Sequence, residues 1–170
     1  KLTFEVQMNV TNAGIMCDKL RLNQVLLNVL SNAIKYTHDG GSVEFLIDEM
    51  KSAKLGAAHF KFRVRDNGMG MNAEFLKKIY EPFTRANSST VSGIQGTGLG
   101  MSITKNIVEM MDGSIEISSE EDKGTEVVID IDFMLHDQNC VGKKPLSFNF
   151  NFAGKKILLV EDNEMNRQIA

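Results

Sequence analysis

The residues whose spacing most suggests chemistry lie in SGIQGTGLGMSIT, residues 92–104, which carries four glycines within eight positions. They are Gly93, Gly96, Gly98 and Gly100, and an amphipathic helix is predicted to begin directly after them. The first N–H groups of a helix have no partner within the helix and lie at its positive end, so a loop of this kind can bind phosphate. The stretch matches neither a Walker A loop nor a dinucleotide-binding fingerprint. By itself it is weak evidence for a phosphate site.

A second polar group lies on a predicted helix, DKLRLNQVLLNVLSNAIKYT, residues 18–37. At 100° per residue, Arg21, Asn28, Asn32 and Lys35 share a sector of roughly 60°. Asparagine is unfavourable in the middle of a helix, because its side chain competes for backbone hydrogen bonds. The stripe is therefore either the solvent-exposed side of an amphipathic helix or a site in which amide oxygens hold Mg²⁺ and a lysine binds phosphate. The apolar arc of the same helix is Leu22, Val25, Leu26, Val29, Leu30, Ala33 and Ile34.

A third group is DNGMG, residues 66–70, at the end of a predicted strand. Gly68 and Gly70 permit positive φ and close approach of a ligand to the backbone. The Asp66 carboxylate could accept a hydrogen bond from a ligand amine. An ordinary Asp-Asn-Gly turn explains the same residues equally simply.

The elements that position these groups follow from hydrophobic periodicity. Alternating apolar and polar residues predict strands at 3–10, 42–50 and 59–66 and in GSIEISSE and TEVVIDIDF, and the loop 51–58 predicts an antiparallel hairpin. Asp18 and Asn72 are predicted helix N-caps, and a further helix is predicted from about Leu99 to Met111. The pattern predicts an α+β fold, with a mainly antiparallel sheet covered by helices on one face.

Composition excludes several function classes. A net charge of −3 and a pI near 5.6 argue against nucleic acid as the main partner. Two cysteines far apart, Cys17 and Cys140, indicate a reducing compartment. No apolar run approaches the ~18 residues that a membrane-spanning helix needs.

Taken together and in order, five motifs resemble the ATP-binding domain of sensor histidine kinases. NVLSNAIKYT, DNGMG, EPFTRA, GTGLGMSI and KGTEV correspond to its N, G1, F, G2 and G3 boxes, and the resemblance covers about residues 3–133. That family belongs to the gyrase- and histidine-kinase-like ATPase superfamily, so the resemblance implies a two-layer α/β sandwich, the Bergerat ATP-binding fold. It also implies ATP and Mg²⁺ as ligands.

The resemblance assigns roles to individual residues. It implies that Asn32 holds Mg²⁺, that Asp66 accepts from the adenine amino group, and that Gly124 and Thr125 close the base end. Phe83 would anchor the F box, and Arg85 would reach phosphate from a lid over about residues 84–98. The complete implied ATP-binding set is Asn28, Asn32, Lys35, Tyr36, Asp66, Gly68, Gly70, Phe83, Arg85, Gly96, Thr97, Gly98, Leu99, Gly100 and Thr125.

The tail ILLVEDNEMNR resembles the first strand and acidic turn of a response-regulator receiver domain. We therefore expect an ATP-binding domain at 1–134, a linker at 135–154 and the start of a receiver at 155–170, in which Glu161 and Asp162 form an incomplete Mg²⁺ site. We further expect the apolar strand Ile157–Val160 to add to a sheet edge.

These features predict the catalytic domain of a hybrid sensor histidine kinase that supplies the γ-phosphoryl group of Mg-ATP to a histidine. That histidine is expected on a dimerisation helix hairpin upstream of residue 1, because His38, His59 and His136 are poorly placed as acceptors. This chain is thus expected to bind ATP without autophosphorylating and to lie in the cytoplasm. Most members of the family that it resembles are anchored in the inner or plasma membrane, so the resemblance allows a membrane-anchored parent protein. The alternatives are a nucleotide-binding regulatory module (a pseudokinase) and an ATP-driven clamp of the same superfamily.

Overall fold

A computed structural model describes residues 1–12, 14–84 and 97–136 of the chain. Within these residues the chain forms three helices and a six-stranded sheet. The strands are β1 (Thr3–Asn9), β2 (Ile15–Met16), β3 (Ser42–Lys51), β4 (Ala57–Asp66), β5 (Ser114–Glu120) and β6 (Gly124–Leu135). The helices are α1 (Lys19–Tyr36), α2 (Ala73–Lys78) and α3 (Gly100–Met110).

The sheet runs in the order β1-β3-β4-β6-β2, and β5 also pairs with β6. β1 is parallel to β3, whereas the other pairings are antiparallel, which confirms the predicted α+β fold with a mixed, mainly antiparallel sheet. The predicted hairpin is present, with Val43 opposite Asp66 and Lys51 opposite Ala58. β2 was not predicted, because two residues are too few to show a period.

Helix α1 begins and ends for local reasons. The Asp18 carboxylate accepts hydrogen bonds from the backbone N–H groups of Leu20 and Arg21, as the predicted N-cap requires. After Thr37 the chain turns through Gly40 at a φ of +83°. α2 begins in the same way, with Asn72 accepting from the N–H of Phe75.

One face of the sheet and the helices α1 and α3 enclose the core. Val25, Val29 and Ala33 of α1 and Ile107 and Val108 of α3 are buried in it. Phe60, Phe62 and Phe133 of the sheet pack together with ring centroids 5.6 to 6.5 Å apart. These side chains alternate along the strands with those of the opposite face, because successive residues of a strand point to opposite sides.

The predicted apolar arc of α1 is wider than the face of the helix that is buried in the core. Ile34 was predicted to belong to the arc but is 49% exposed, because α1 meets α3 and β4 on its other side. Phe4, Val6 and Met8 of β1 are likewise exposed, since no described helix covers the edge of the sheet. Within residues 1–12, 14–84 and 97–136, no helix has the length and hydropathy needed to cross a bilayer.

Candidate functional site

A cavity of about 330 Å³ lies between α1, α3 and the β4, β5 and β6 strands of the core face. Its lining joins residues from Asn28 to Val127, so it is assembled from segments far apart in the sequence. Ten residues of the implied set line it, namely Asn28, Asn32, Lys35, Tyr36, Asp66, Gly70, Thr97, Gly98, Gly100 and Thr125.

The other implied residues have different positions. Gly68 does not line the cavity, and an added Cβ there would stand 2.2 Å from the carbonyl oxygen of Tyr36. Leu99 is the N-cap of α3. Phe83, the expected anchor of the F box, is 73% exposed and does not line the cavity. Its φ is +64°, and its backbone approaches Gly98. Arg85, Gly96, Glu161, Asp162 and Ile157–Val160 lie outside the described residues.

Asp66 stands at the inner end of the cavity, at the last position of β4. It is 8% exposed, and its Oδ1 accepts hydrogen bonds from the N–H groups of Gly68, at 2.9 Å, and Thr125, at 3.2 Å. Burial raises the pKa of the Asp66 carboxyl above its usual range, although these two N–H groups act in the opposite direction. Oδ2 takes part in neither bond, so the carboxylate retains an acceptor for a ligand.

Much of the cavity wall is apolar. The apolar lining side chains that sequence reasoning missed are Val64, Met69, Met71, Phe75, Ile79, Met101, Ile117 and Val127. A signal for some of them was available. Met69 and Met71 flank the predicted Gly70, and Ile79, the C-cap of α2, follows Phe75 by four residues. Nothing local in the sequence distinguishes Ile117 and Val127 from other inward-facing strand residues.

Gly70 brings the turn after β4 against the loop between β5 and β6. Its φ is +62°, and an added Cβ would lie 1.9 Å from the carbonyl oxygen of Glu120. The N–H of Met69 donates to the Tyr36 carbonyl at 3.0 Å, which joins the same turn to the end of α1. Two independent contacts therefore hold the DNGMG turn against the cavity, and one of them requires glycine.

The opposite end of the cavity is polar. α3 begins there at Gly100, and its N-cap Leu99 offers no side-chain acceptor to the first N–H groups of the helix. Asn28 and Asn32 line this end from α1, and so does Lys35, whose Nζ lies 5.3 Å from the centroid of the Tyr36 ring. Helix N–H groups, amides and an ammonium group suit an anionic ligand.

The cavity is thus amphipathic, with an apolar slot and one buried carboxylate at one end and hydrogen-bond donors at the other. Among the described residues, no group of three or more His, Cys, Asp or Glu side chains could hold a metal ion. A carboxylate cage for a tightly bound metal is therefore not built from residues 1–12, 14–84 and 97–136.

Comparison with known proteins gives consistent matches. Residues 17–135 match the family model described as histidine kinase-, DNA gyrase B- and HSP90-like ATPase. The chain is 34% identical over 170 residues to the autoinducer 2 sensor kinase/phosphatase LuxQ of Vibrio vulnificus strain CMCP6, covering 97% of this chain and 20% of that protein. It is 35% identical over 114 residues to the sensor histidine kinase RcsC of Escherichia coli strain K12, covering 67% of this chain and 11% of that protein. The chain therefore spans at most about a fifth of the length of these curated relatives.

Solved structures share the fold. The catalytic domain of histidine kinase ThkA superimposes with a TM-score of 0.62 at 25% identity, covering 77% of this chain and 80% of that chain. Full-length ShkA in complex with AMPPNP superimposes with a TM-score of 0.63 at 26% identity, covering 79% of this chain and 26% of that chain.

Proposed function

Because this chain belongs to the histidine kinase-, DNA gyrase B- and HSP90-like ATPase family, we propose that it is the ATP-binding catalytic domain of a hybrid sensor histidine kinase. The relatives named above are sensor kinases, and the match to LuxQ extends over nearly the whole chain. The observation that carries the proposal is the amphipathic cavity, whose two ends match the two halves of a nucleoside triphosphate.

The adenine base would occupy the apolar slot. Met69, Ile117 and Val127 offer the slot surface that a flat, weakly polar ring requires. The unused Oδ2 of Asp66 would accept from the 6-amino group, a donor that guanine replaces with a carbonyl acceptor. Selectivity for adenine over guanine would therefore reside in one carboxylate.

The triphosphate would occupy the polar end. The N–H groups that begin α3 would donate to phosphate oxygens, and Gly98 and Gly100 leave the backbone accessible. Lys35 lines the same end and would add a positive charge. Since phosphoryl transfer is accelerated mainly by positioning and charge stabilisation, this end is where the chain would contribute to catalysis.

Mg²⁺ fits the residues present. The polar end carries the amides of Asn28 and Asn32, and amide oxygens suit a hard cation that keeps most of its water and phosphate ligands. Asn32 would hold the ion and Asn28 would line the same site with its amide oxygen. The ion, when bound, would neutralise charge on the triphosphate.

The phosphoacceptor histidine would come from a dimerisation helix hairpin elsewhere in the same protein, and the acquired phosphoryl group would pass to a receiver domain. His59 does not suit the acceptor role, because it lies on the face of the sheet away from the cavity. There its Nε2 is 2.9 Å from Asp130 and its Nδ1 is 3.0 Å from Asp132.

Titration calorimetry tests the proposal with ATP and GTP, each with Mg²⁺ and with EDTA. We expect micromolar-range binding that prefers ATP and is strengthened by Mg²⁺. Asn32→Ala should reduce the Mg²⁺ effect, whereas Asn23→Ala, an exposed asparagine on the same helix, should not. Equal binding of ATP and GTP, or no binding to the wild-type chain, would contradict the proposal, and loss of binding would favour a module that regulates without using nucleotide.

A further inference from the structure

The side-chain amides of Asn28 and Asn32 lie one turn apart on α1 and face α3. Asn28 Nδ2 donates to the Thr104 hydroxyl at 2.7 Å and lies 3.8 Å from the sulfur of Met101. Asn32 Nδ2 lies 3.5 Å from the same sulfur. One methionine therefore contacts the amino groups of both amides, and a threonine contacts one of them.

The contacts with the sulfur determine which way each amide points, whereas the Thr104 hydroxyl, which can donate or accept, holds the Asn28 side chain in place. A thioether sulfur can only accept a hydrogen bond, so it favours the NH₂ group of an amide over the carbonyl oxygen. Because the amide is planar and its oxygen lies opposite its nitrogen, holding the NH₂ against Met101 directs the oxygen away from the sulfur. The Asn28 oxygen accordingly lies beside Gly100, 2.4 Å from where a Cβ would stand on that glycine, at the start of α3.

A hydroxyl group is unexpected at the buried position of Thr104. Thr104 is 1% exposed, and it stands on α3 one turn before the buried Val108. A buried hydroxyl is costly unless it is hydrogen-bonded, and Asn28 provides that partner. Valine has nearly the same shape without that cost, so packing alone does not require threonine here.

We propose that Met101 and Thr104 are positioning residues, which hold the amides of Asn28 and Asn32 with their oxygens available to the Mg²⁺ of Mg-ATP. The inference rests on the proposed function. Without the sulfur and the hydroxyl, each amide would flip between two orientations of similar energy and present its oxygen about half of the time. Two independent amides would then lower the apparent affinity for the metal-bound nucleotide by about fourfold, because binding selects the competent fraction.

The test compares Met101→Leu, Thr104→Val and the double variant with the wild-type chain. For each protein, calorimetry gives the Kd for ATP in EDTA divided by the Kd for ATP in Mg²⁺. We expect this ratio to fall about fourfold in the double variant. Because Met101 lines the cavity, each variant is judged by the ratio of its own two Kd values and not by its affinity in EDTA. Thr104→Ser, which keeps the hydroxyl, and Met110→Leu, an exposed methionine on the same helix, should both keep the wild-type ratio.

A second measurement needs no nucleotide. In the free wild-type protein, NMR should show the side-chain NH₂ groups of Asn28 and Asn32 as separate signals protected from exchange with water. The double variant should lose that protection while urea unfolding shows that it is still folded. The inference is wrong if the folded double variant keeps the wild-type ratio of the Kd in EDTA to the Kd in Mg²⁺, or if the amides of the wild-type protein are unprotected. Either result leaves the proposed function standing. Protected amides in a protein that binds no ATP would instead overturn the proposed function.

Discussion

Replacing Asp66 with asparagine exchanges one carboxylate oxygen for an NH₂ group and leaves the surrounding hydrogen bonds in place. The Oδ1 of asparagine can still accept from the N–H groups of Gly68 and Thr125, at the present 2.9 and 3.2 Å. In place of Oδ2 the variant carries an NH₂ group, which is a donor. That donor would face the 6-amino group of adenine, so an acceptor–donor pair becomes a donor–donor pair.

The expected size of the effect follows from the hydrogen bond that is lost. A hydrogen bond to a charged group contributes about 1.5–3 kcal/mol. Its loss should weaken ATP binding by about 10- to 150-fold. GTP should lose less, because the new NH₂ can donate to the carbonyl at position 6 of guanine, and the preference for ATP should therefore shrink.

The same substitution should not destabilise the fold at neutral pH. Burial raises the pKa of the Asp66 carboxyl, so the folded state favours the protonated form. The stability that this contributes is complete below the usual carboxyl pKa and is lost as pH rises through the raised value. At pH 7 the wild-type protein therefore carries the cost of a buried charge, which Asp66→Asn removes.

Calorimetry with ATP and GTP, and urea unfolding between pH 3.5 and 7.5, measure the two effects separately. We expect the variant to be at least as stable as wild type at pH 7 and to lose this advantage as pH falls. Asp39→Asn, at an exposed turn, is the matched control and should change neither property. Unchanged ATP affinity and selectivity in a folded Asp66→Asn protein would refute the assignment of the carboxylate to the base.

Two further predictions concern stability. Gly70 has a φ of +62°, and an added Cβ there would overlap the Glu120 carbonyl, so Gly70→Ala should lower the free energy of unfolding by more than the ~1–2 kcal/mol that the backbone conformation alone costs. Gly40 has a φ of +83° with open space around it, so Gly40→Ala should lower it by that amount only. Urea unfolding measures both. Hydrogen bonds from the backbone and side chain of Asn12, and then of Thr11, lower the pKa of Glu49 to about 2. Its contribution to stability should therefore be present above pH 4.5 and disappear as pH falls towards 2. Glu49→Gln should remove this part of the acid dependence, and an unchanged profile would show that the contacts do not persist in solution.

Local patterns in the sequence were enough to predict the elements and the order of the motifs. Asp18 and Asn72 begin helices as predicted, because a cap is satisfied by N–H groups within three residues. Alternation identified β3 and β4, because one face of each meets the core. The same patterns failed for Ile34, since periodicity reports which residues are apolar but not which side of a helix a neighbour will cover.

The cavity itself was decided by the tertiary structure. Asp66 receives an N–H from Thr125, 59 residues away, and Asn28 meets Thr104, 76 residues away, so neither contact has a local signature. Ile117 and Val127 become walls of a slot only because β5 and β6 pair in one register. The residue types and their order in the chain could therefore indicate a nucleotide site. The burial of its carboxylate and the orientation of its amides depended on packing between segments that the sequence keeps far apart.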